Sequence, residues 1–187
     1  GRVHDNKNDA GYITHLNGST SIGPDESDKR MTGTVEDAIR AGADAVSFHI
    51  NVGSEHEPDQ ITQLSNVTSK AAEYGLPVLA MAYARGHDVR DEDPELSAYS
   101  GTPETFERTV ESTRLPVVIA GGSKGTDEET LDMVRGAMDA GAAGVSMGRS
   151  IFQHEEPKKI AHAVASVVHE DSEAAEALRA AGLAVEA

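Results

Sequence analysis

The sequence has no cysteine, few lysines and no long apolar run. Without cysteine it has no disulfide, no thiolate zinc site and no cysteine nucleophile. Its apolar runs fall well short of the roughly 18 residues that cross a membrane. The first residues, Gly1 to Lys7, lack the apolar segment of a signal peptide. We therefore expect a cytoplasmic protein with no membrane partner.

Acidic residues outnumber basic ones, with 32 Asp and Glu against 16 Lys and Arg and a net charge of −16. Nucleic-acid binding needs clustered Lys and Arg, so the composition argues against such a partner. Only six of the cations are lysine, and the acids are scattered along the chain. This pattern favours a salt-adapted protein, because salt screens the repulsion between surface carboxylates. An ordinary acidic cytosolic protein is the alternative.

Amphipathic helices alternate with short apolar strands along the chain. The helix predicted over 34–41 opens with a Thr34–Asp37 capping box, ends at Gly42 and precedes a strand over 45–50. Further helices are predicted over 60–74, 103–113, 127–140, 157–168 and 172–181, and further strands over 12–16, 77–81, 116–120 and 144–147. The alternation predicts an α/β fold with a parallel sheet, in one domain over residues 1–187.

An internal echo links Ala41–Ser47 with Ala140–Ser146. A (β/α)₈ TIM barrel would place the two segments four βα units apart, which takes about 120 residues. The observed spacing is shorter, and an acidic stretch runs directly into a loop at Ser97. We predict that a helix and most of a strand are absent at the Leu96–Ser97 join, with a deletion or a long loop as the alternative. Because the chain also begins without Met, we expect a longer polypeptide.

Small and polar residues follow each predicted strand, where parallel α/β folds bind their ligands. Gly121 and Gly122 allow the backbone to approach an anion closely. Gly148 and Arg149 offer backbone N–H groups and a guanidinium. Because TIM barrels commonly bind phosphate between their last two strand-end loops, the pattern predicts a phosphate site. Tight turns alone are the alternative explanation of these glycines.

Tyr83 lies just past the strand over 77–81, where a hydroxyl can transfer a proton or simply pack over a barrel mouth. His49 and His15 lie at strand ends, and packing or hydrogen bonding is the commoner role there. The other histidines are predicted on the surface or in helices: His56, His87, His154, His162 and His169. The acidic cluster 91–93 lacks the spacing of a calcium loop, so no metal site is predicted.

A Schiff-base mechanism would need a lysine buried on a barrel strand. No lysine of this chain lies in a predicted strand. The six are Lys7, Lys29, Lys70, Lys124, Lys158 and Lys159. Taken alone, the sequence therefore has no such nucleophile.

Five segments resemble, in order, the motifs of the archaeal-type class I aldolases. They are residues 15–25, 43–54, 81–86, 119–122 and 148–154. The resemblance extends over essentially the whole chain. The His-Ile-Asn-Val-Gly-Ser stretch from His49 to Ser54 favours a synthase branch of the family over the fructose-bisphosphate aldolase branch.

The resemblance implies a (β/α)₈ TIM barrel that is incomplete here, without its first two strands and most of the sixth. It implies a homo-oligomeric, cofactor-free Schiff-base enzyme of the aldolase or transaldolase type. Its substrates would be a sugar phosphate, 6-deoxy-5-ketofructose 1-phosphate, and an aldehyde, aspartate semialdehyde, on a route to 3-dehydroquinate and the aromatic amino acids. The family lysine would fall at the Leu96–Ser97 join, and a family aspartate before Gly1.

The resemblance also assigns roles to residues that are present. Tyr83 would be the proton donor, with Ala84 and Arg85 beside it in contact with substrate. The phosphate would bind at Gly121, Gly122, Gly148 and Arg149. A class I fructose-bisphosphate aldolase is one alternative, and a noncatalytic sugar-phosphate-binding protein is another.

Overall fold

The computed structural model of the chain describes residues 10–84, 103–121 and 125–183. The chain divides into two compact units, Gly1–Leu96 and Ser97–Ala187. The division coincides with the join at which the sequence predicts missing residues, and the join itself lies outside the described residues. That the two units form a single domain stays a prediction.

The first unit contains, in chain order, β1 (Ile13–His15), β2 (Asn17–Gly18), β3 (Arg30–Met31), α1 (Val35–Arg40), β4 (Ala45–Val52), α2 (Glu57–Glu73) and β5 (Val78–Ala84). Three parallel strands form its sheet in the order β1-β4-β5. β2 and β3 form a small antiparallel ribbon. The helices thus alternate with the parallel strands, as the sequence predicts.

One face of this sheet carries the hydrophobic core of the first unit. Val46 and Phe48 of β4 are fully buried and pack with Val67 and Ala71 of α2. Because side chains alternate along a strand, the residues between them point to the opposite face of the sheet. That opposite face is polar along β4, and it carries the candidate residues of the first unit.

The second unit contains α3 (Pro103–Glu111), β6 (Val118–Ala120), α4 (Asp127–Asp139), β7 (Gly144–Ser146), α5 (Arg149–Phe152), α6 (Pro157–Glu170) and α7 (Ala174–Ala181). β6 and β7 pair in parallel. Leu131 of α4, Ile160 of α6 and Leu178 of α7 are almost fully buried in a shared cluster. A second cluster contains Ile119 of β6 and Ala137 of α4, with Val145 of β7 packed against it, so both strands lie beside α4.

The echo seen in the sequence is a repeated local structure. Gly42 follows α1 with φ +82° and Gly141 follows α4 with φ +89°. The next residue folds back in both places: Ala43 N–H donates to Ala38 O at 3.0 Å, and Ala142 N–H to Ala137 O at 2.9 Å. Glycine suits this left-handed position because it has no Cβ. The two helix-to-strand turns thus have the same local structure.

Three local predictions need correction. β4 and β5 run further than predicted, because Asn51 pairs with Tyr83 and Val52 with Ala84 in the sheet. Tyr83 therefore lies inside β5 and not past it, and His49 lies within β4 and not at its end. Asn17–Gly18 is not loop but pairs with Arg30–Met31. The predicted loop at Arg149 is the short helix α5.

Among the described residues, no helix combines the length and apolar character needed to cross a membrane.

Candidate functional site

The polar face of the first sheet brings together side chains from all three of its strands. Along β4, Ser47, His49 and Asn51 alternate with the buried core residues. Register pairs His15 of β1 with Ser47, and Tyr83 of β5 with Asn51. Residues that are paired across neighbouring strands lie on the same face of a sheet. These five side chains therefore all lie on one side of the sheet.

His15 is tied to the neighbouring strand by a side-chain contact. Its Nδ1 lies 2.9 Å from Ser47 Oγ. Burial lowers the pKa of His15, and the positive charge of Lys29 lowers it further, while a hydrogen bond to the Ser47 backbone acts in the opposite direction. The neutral imidazole is therefore favoured in the folded protein.

His49 is held through both its backbone and its ring. Its backbone N–H donates to Asn17 Oδ1 at 2.9 Å, and its carbonyl accepts from Asn17 Nδ2 at 2.8 Å. Its ring Nε2 lies 2.8 Å from Asn51 Oδ1. Asn17 and Asn51 are each 1% exposed. Few orientations are left to a ring anchored in this way.

Two buried amides extend this arrangement to the start of α2. Asn51 Nδ2 and Gln60 Nε2 both donate to the Ser27 carbonyl, at 2.9 and 2.7 Å. Gln60 Oε1 accepts from the Asn51 backbone N–H at 2.7 Å. We call Asn51, Gln60 and the Ser27 carbonyl the amide network. It ties β4, α2 and the 25–28 segment together behind His49.

Tyr83 stacks on His49. The two ring centroids are 4.8 Å apart, and the ring planes meet at 23°. Tyr83 and the following Ala84 are both half-buried at the end of β5. Arg85, predicted beside them, lies outside the described residues.

In the second unit, Gly121 follows β6 and lies against the end of β7. Its backbone N–H donates to Ser146 O at 2.9 Å. A Cβ at Gly121 would lie 3.2 Å from Met147 Cγ and 3.4 Å from Met147 Cα, so the two backbones approach closely here. Gly122 lies outside the described residues.

Gly148 and Arg149 lie at the start of α5, and both are exposed. The carbonyl of Gly148 accepts from Ile151 N–H at 2.9 Å and Phe152 N–H at 3.0 Å. Among the residues that the structure describes, no carboxylate pairs with the Arg149 guanidinium. The guanidinium and the N–H groups of this turn are therefore suited to an anion.

The start of α4 is less suited to an anion. Its first turn holds Asp127, Glu128 and Glu129. Thr126 and Glu129 cap each other's backbone N–H groups, at 2.8 and 3.1 Å. Because these carboxylates repel an anion, the start of α4 is poorly suited to bind phosphate.

Two histidines predicted on the surface have carboxylate partners. His154 Nε2 lies 2.9 Å from Asp127 Oδ1, and its Nδ1 accepts from Glu156 N–H at 2.8 Å. His56 Nε2 lies 2.8 Å from Asp25 Oδ2. Both rings are mostly covered, which corrects their placement at the surface.

Asp25, Glu55 and His56 place potential metal-ligand atoms within 4.8 Å of one another. His56 Nε2 already contacts Asp25 Oδ2. Ser27 donates to the other Asp25 oxygen from both its hydroxyl and its backbone, at 2.6 and 2.7 Å. The group is thus internally hydrogen-bonded, and we assign it no metal.

None of the described lysines lies on a strand. Lys29 precedes β3, Lys70 lies in α2, and Lys158 and Lys159 lie in α6. Lys7 and Lys124 lie outside the described residues. Within the described parts of the chain, the structure therefore agrees with the sequence in offering no strand lysine as a nucleophile.

The amide network was not predicted from the sequence. Asn17 and Asn51 lie within the family-like motifs 15–25 and 43–54, which could have marked them as structural partners of His49. Gln60 carries no such signal, since it is one polar residue in a helix of mixed composition. Only the structure shows that Gln60 is almost fully buried, at 1% exposed, and that its side chain belongs to the amide network.

The chain is similar to aldolases and related synthases along its whole length. A family model described as DeoC/LacD family aldolase matches residues 1–99 and 93–154. The two matches overlap at residues 93–99, which include the Leu96–Ser97 join. A 2-amino-3,7-dideoxy-D-threo-hept-6-ulosonate synthase of Halobacterium salinarum is 56% identical, over all of this chain and 77% of the relative. That alignment spans 203 positions against the 187 residues of this chain, so it contains gaps on this side.

A class 1 fructose-bisphosphate aldolase of the same species is 31% identical, over 91% of this chain and 72% of the relative. Among solved structures, an archaeal fructose-1,6-bisphosphate aldolase matches with a TM-score of 0.81 and 30% identity, over 89% of this chain and 75% of that one. In that structure the catalytic lysine is covalently bound to the carbinolamine intermediate of the substrate. The match confirms the predicted barrel fold class, in an incomplete form. By the family model and by these relatives alike, the chain belongs to the DeoC/LacD aldolase family.

Proposed function

We propose that this chain carries the substrate-binding and proton-transfer residues of a Schiff-base synthase. The enzyme condenses 6-deoxy-5-ketofructose 1-phosphate with aspartate semialdehyde to 2-amino-3,7-dideoxy-D-threo-hept-6-ulosonate. One observation supports the choice of substrate. Of two Halobacterium salinarum proteins, the synthase is 56% identical to this chain and the fructose-bisphosphate aldolase is 31% identical. The product would feed 3-dehydroquinate and aromatic amino-acid biosynthesis.

Tyr83 is the proposed proton donor. It lies at the end of β5 on the polar face of the sheet, stacked on His49. A phenol in such a place can take the proton from a substrate hydroxyl as a carbon–carbon bond breaks, and can protonate the aldehyde oxygen as a new bond forms. Ala84 and Arg85 follow it directly and are proposed to contact the substrate.

The proposed phosphate site consists of Gly121, Gly122, Gly148 and Arg149. Its structural support is the exposed Arg149 guanidinium without a described carboxylate partner, at the start of α5. Gly121 and Gly122 are included on the resemblance alone. Backbone N–H groups and arginine together are a common phosphate-binding combination. The carboxylates in the first turn of α4 make that helix start an unfavourable part of such a site.

The chemical step needs a lysine, which we place in the segment missing at the Leu96–Ser97 join. Its amine would condense with the substrate ketone and release water. The imine would accept the electron pair as the carbon–carbon bond breaks, and the three-carbon aldehyde that carries the phosphate would leave. The enamine that remains on the lysine would then attack the aldehyde of the second substrate. Water would then release the product and regenerate the amine. No metal or organic cofactor enters this cycle.

The first experiment is the intact mass of the purified polypeptide, followed by borohydride reduction in the presence of the keto-sugar phosphate. The proposal expects a mass above 19.7 kDa and a trapped adduct on a lysine. A mass of 19.7 kDa with phosphate binding but no adduct would favour the noncatalytic alternative. Turnover of fructose 1,6-bisphosphate without condensation of aspartate semialdehyde would favour the aldolase alternative.

We also propose that the enzyme works in a cytoplasm of high salt concentration, as a homo-oligomer. A net charge of −16 with only six lysines suits a cytoplasm of high salt, where a Debye length of about 3 Å at 1 M screens the carboxylates from one another. Unfolding by urea at increasing KCl tests this, because a salt-adapted chain gains stability well above 0.1 M. The resemblance also leads us to propose a homo-oligomer. Analytical ultracentrifugation would measure its mass in solution.

A further inference from the structure

The amide network determines which nitrogen of His49 carries the proton. A backbone carbonyl can only accept hydrogen bonds. Because Ser27 O faces both Asn51 Nδ2 and Gln60 Nε2, both side-chain amides must point their NH₂ groups toward it. The orientation of Asn51 therefore follows from its partners.

This orientation turns Asn51 Oδ1 toward the His49 ring, at 2.8 Å from Nε2. An amide oxygen also only accepts, so Nε2 must donate. Neutral His49 is consequently the Nε2–H tautomer, with Nδ1 as its acceptor nitrogen. A reversed Asn51 would place oxygen against the Ser27 carbonyl and NH₂ against the ring, which loses the bond to Ser27.

The ring held in this way is the surface on which Tyr83 stacks. Asn17 binds the backbone N–H and carbonyl of His49, and Asn51 binds its ring. A phenol ring 4.8 Å away and nearly parallel is restrained by this contact. The restraint passes from Gln60 and Asn51 through His49 to Tyr83, from the start of α2 to the end of β5.

We propose that His49 is a positioning residue that acts through Tyr83: the amide network holds it as the Nε2–H tautomer, and its ring orients the phenol for proton transfer. The assignment of proton transfer to Tyr83 rests on the proposed function. The tautomer and the stacking do not, so they can be tested without turnover.

The structural part is tested by ¹⁵N NMR of the histidine side chains, with His49→Gln used to assign the resonance. The Nε2–H tautomer is expected for His49 near neutral pH. In Asn51→Asp, the new carboxylate beside the ring should keep His49 protonated to higher pH. The exposed Asn66→Asp on α2 is the matched control and should leave His49 unchanged. An Nδ1–H tautomer, or equal titration of His49 in all three proteins, would overturn the proposal.

The functional part is tested by a double-mutant cycle on condensation. His49→Gln should lower kcat about 10- to 100-fold with little change in KM, because a misoriented donor slows chemistry more than binding. Combined with Tyr83→Phe, it should add almost nothing to the loss from Tyr83→Phe alone. Fully multiplicative losses would show that His49 does not act through Tyr83. If the wild-type protein turns nothing over, the proposed function fails, while the NMR measurement still decides the arrangement of His49.

Discussion

The side-chain amide of Asn17 forms two hydrogen bonds with the backbone of His49, at 2.9 Å and 2.8 Å. β1 ends two residues earlier, at His15. The amide thus satisfies the N–H and carbonyl groups of β4 that a longer β1 would otherwise pair. It also anchors β4, the strand that carries the polar face. At the candidate site the Asn17 side chain thus forms the hydrogen bonds that a longer β1 backbone would form.

The first prediction concerns this amide. In Asn17→Asp, the carboxylate can still accept from His49 N–H but cannot donate to His49 O. The position is 1% exposed, so a charge there is poorly solvated. We expect the free energy of unfolding to fall by about 2–4 kcal/mol, more than for a lost neutral hydrogen bond. Urea unfolding at neutral pH measures the loss.

Asn66→Asp makes the same chemical change on the exposed side of α2. It should alter stability by no more than about 0.5 kcal/mol. Equal losses for the two substitutions would mean that the hydrogen bonds of the Asn17 amide contribute nothing, and that the loss comes from the added negative charge alone.

The second prediction concerns pH. The pKa of His15 in the folded protein is lowered from its ordinary value of 6.5, first by burial and then by Lys29. Above pH 6.5 the folded and unfolded forms are both neutral, and the full stability is present. As the pH falls below 6.5, the unfolded chain binds the proton first, and stability is lost until the folded pKa is passed.

His15→Gln removes this titration, so it should reduce the loss of stability between pH 7.5 and pH 5.5. His162→Gln, at an exposed position of α6, is the control and should behave as the wild type does. Parallel pH profiles for wild type and His15→Gln, measured by urea unfolding, would contradict the prediction.

The third prediction concerns Asp25, whose pKa is lowered to about 2. The hydroxyl and backbone N–H of Ser27 are the main cause, and His56 contributes less. Ser27→Ala should therefore raise the pKa of Asp25 more than His56→Gln does, measured by ¹³C NMR of the carboxyl. The stability that Asp25 contributes is present above its ordinary pKa of 3.8 and is lost as the pH falls from there toward 2.

Asp37 supplies an internal control for this titration. Its pKa is also lowered, but by Thr34 and then by Arg40. Its titration should be the same in both variants. A wild-type Asp25 that titrates near 3.8 would show that the hydrogen bonds of Ser27 are not kept in solution.

Much of the fold could be predicted from the sequence, because strand alternation and helix stops are local signals. The echo between Ala41–Ser47 and Ala140–Ser146 corresponds to two helix-to-strand turns with the same local structure. The end of β5 was placed too early: the strand continues to Ala84, and the pairing of Tyr83 with Asn51 that extends it is not visible in the sequence. The amide network joins residues from 9 to 33 positions apart. No periodic pattern encodes such distances, so the supports of His49 emerged only from the structure.

The fourth prediction tests the proposed phosphate site. Arg149→Ala should weaken the binding of the keto-sugar phosphate about 10- to 100-fold, because hydrogen bonds to charged groups contribute about 1.5–3 kcal/mol. Isothermal titration calorimetry measures the affinity. Arg179→Ala, at an exposed position of α7 in the same unit, removes the same charge and should have little effect. Unchanged affinity in Arg149→Ala would remove this residue from the site.

The fifth prediction concerns the turn that leads into β7. Gly141 has φ +89°, and a Cβ there would lie 3.3 Å from Val110 Cγ1. Gly141→Ala should lower the free energy of unfolding by about 1–2 kcal/mol, since an L-residue is strained in the left-handed region. Gly11→Ala is the matched control, because a Cβ at Gly11 meets nothing within 4 Å. Gly42→Ala should show a loss of the same sign, as Gly42 has φ +82° in the equivalent turn. If only one of the two turns were sensitive, the echo would be a likeness of sequence without a shared structural role.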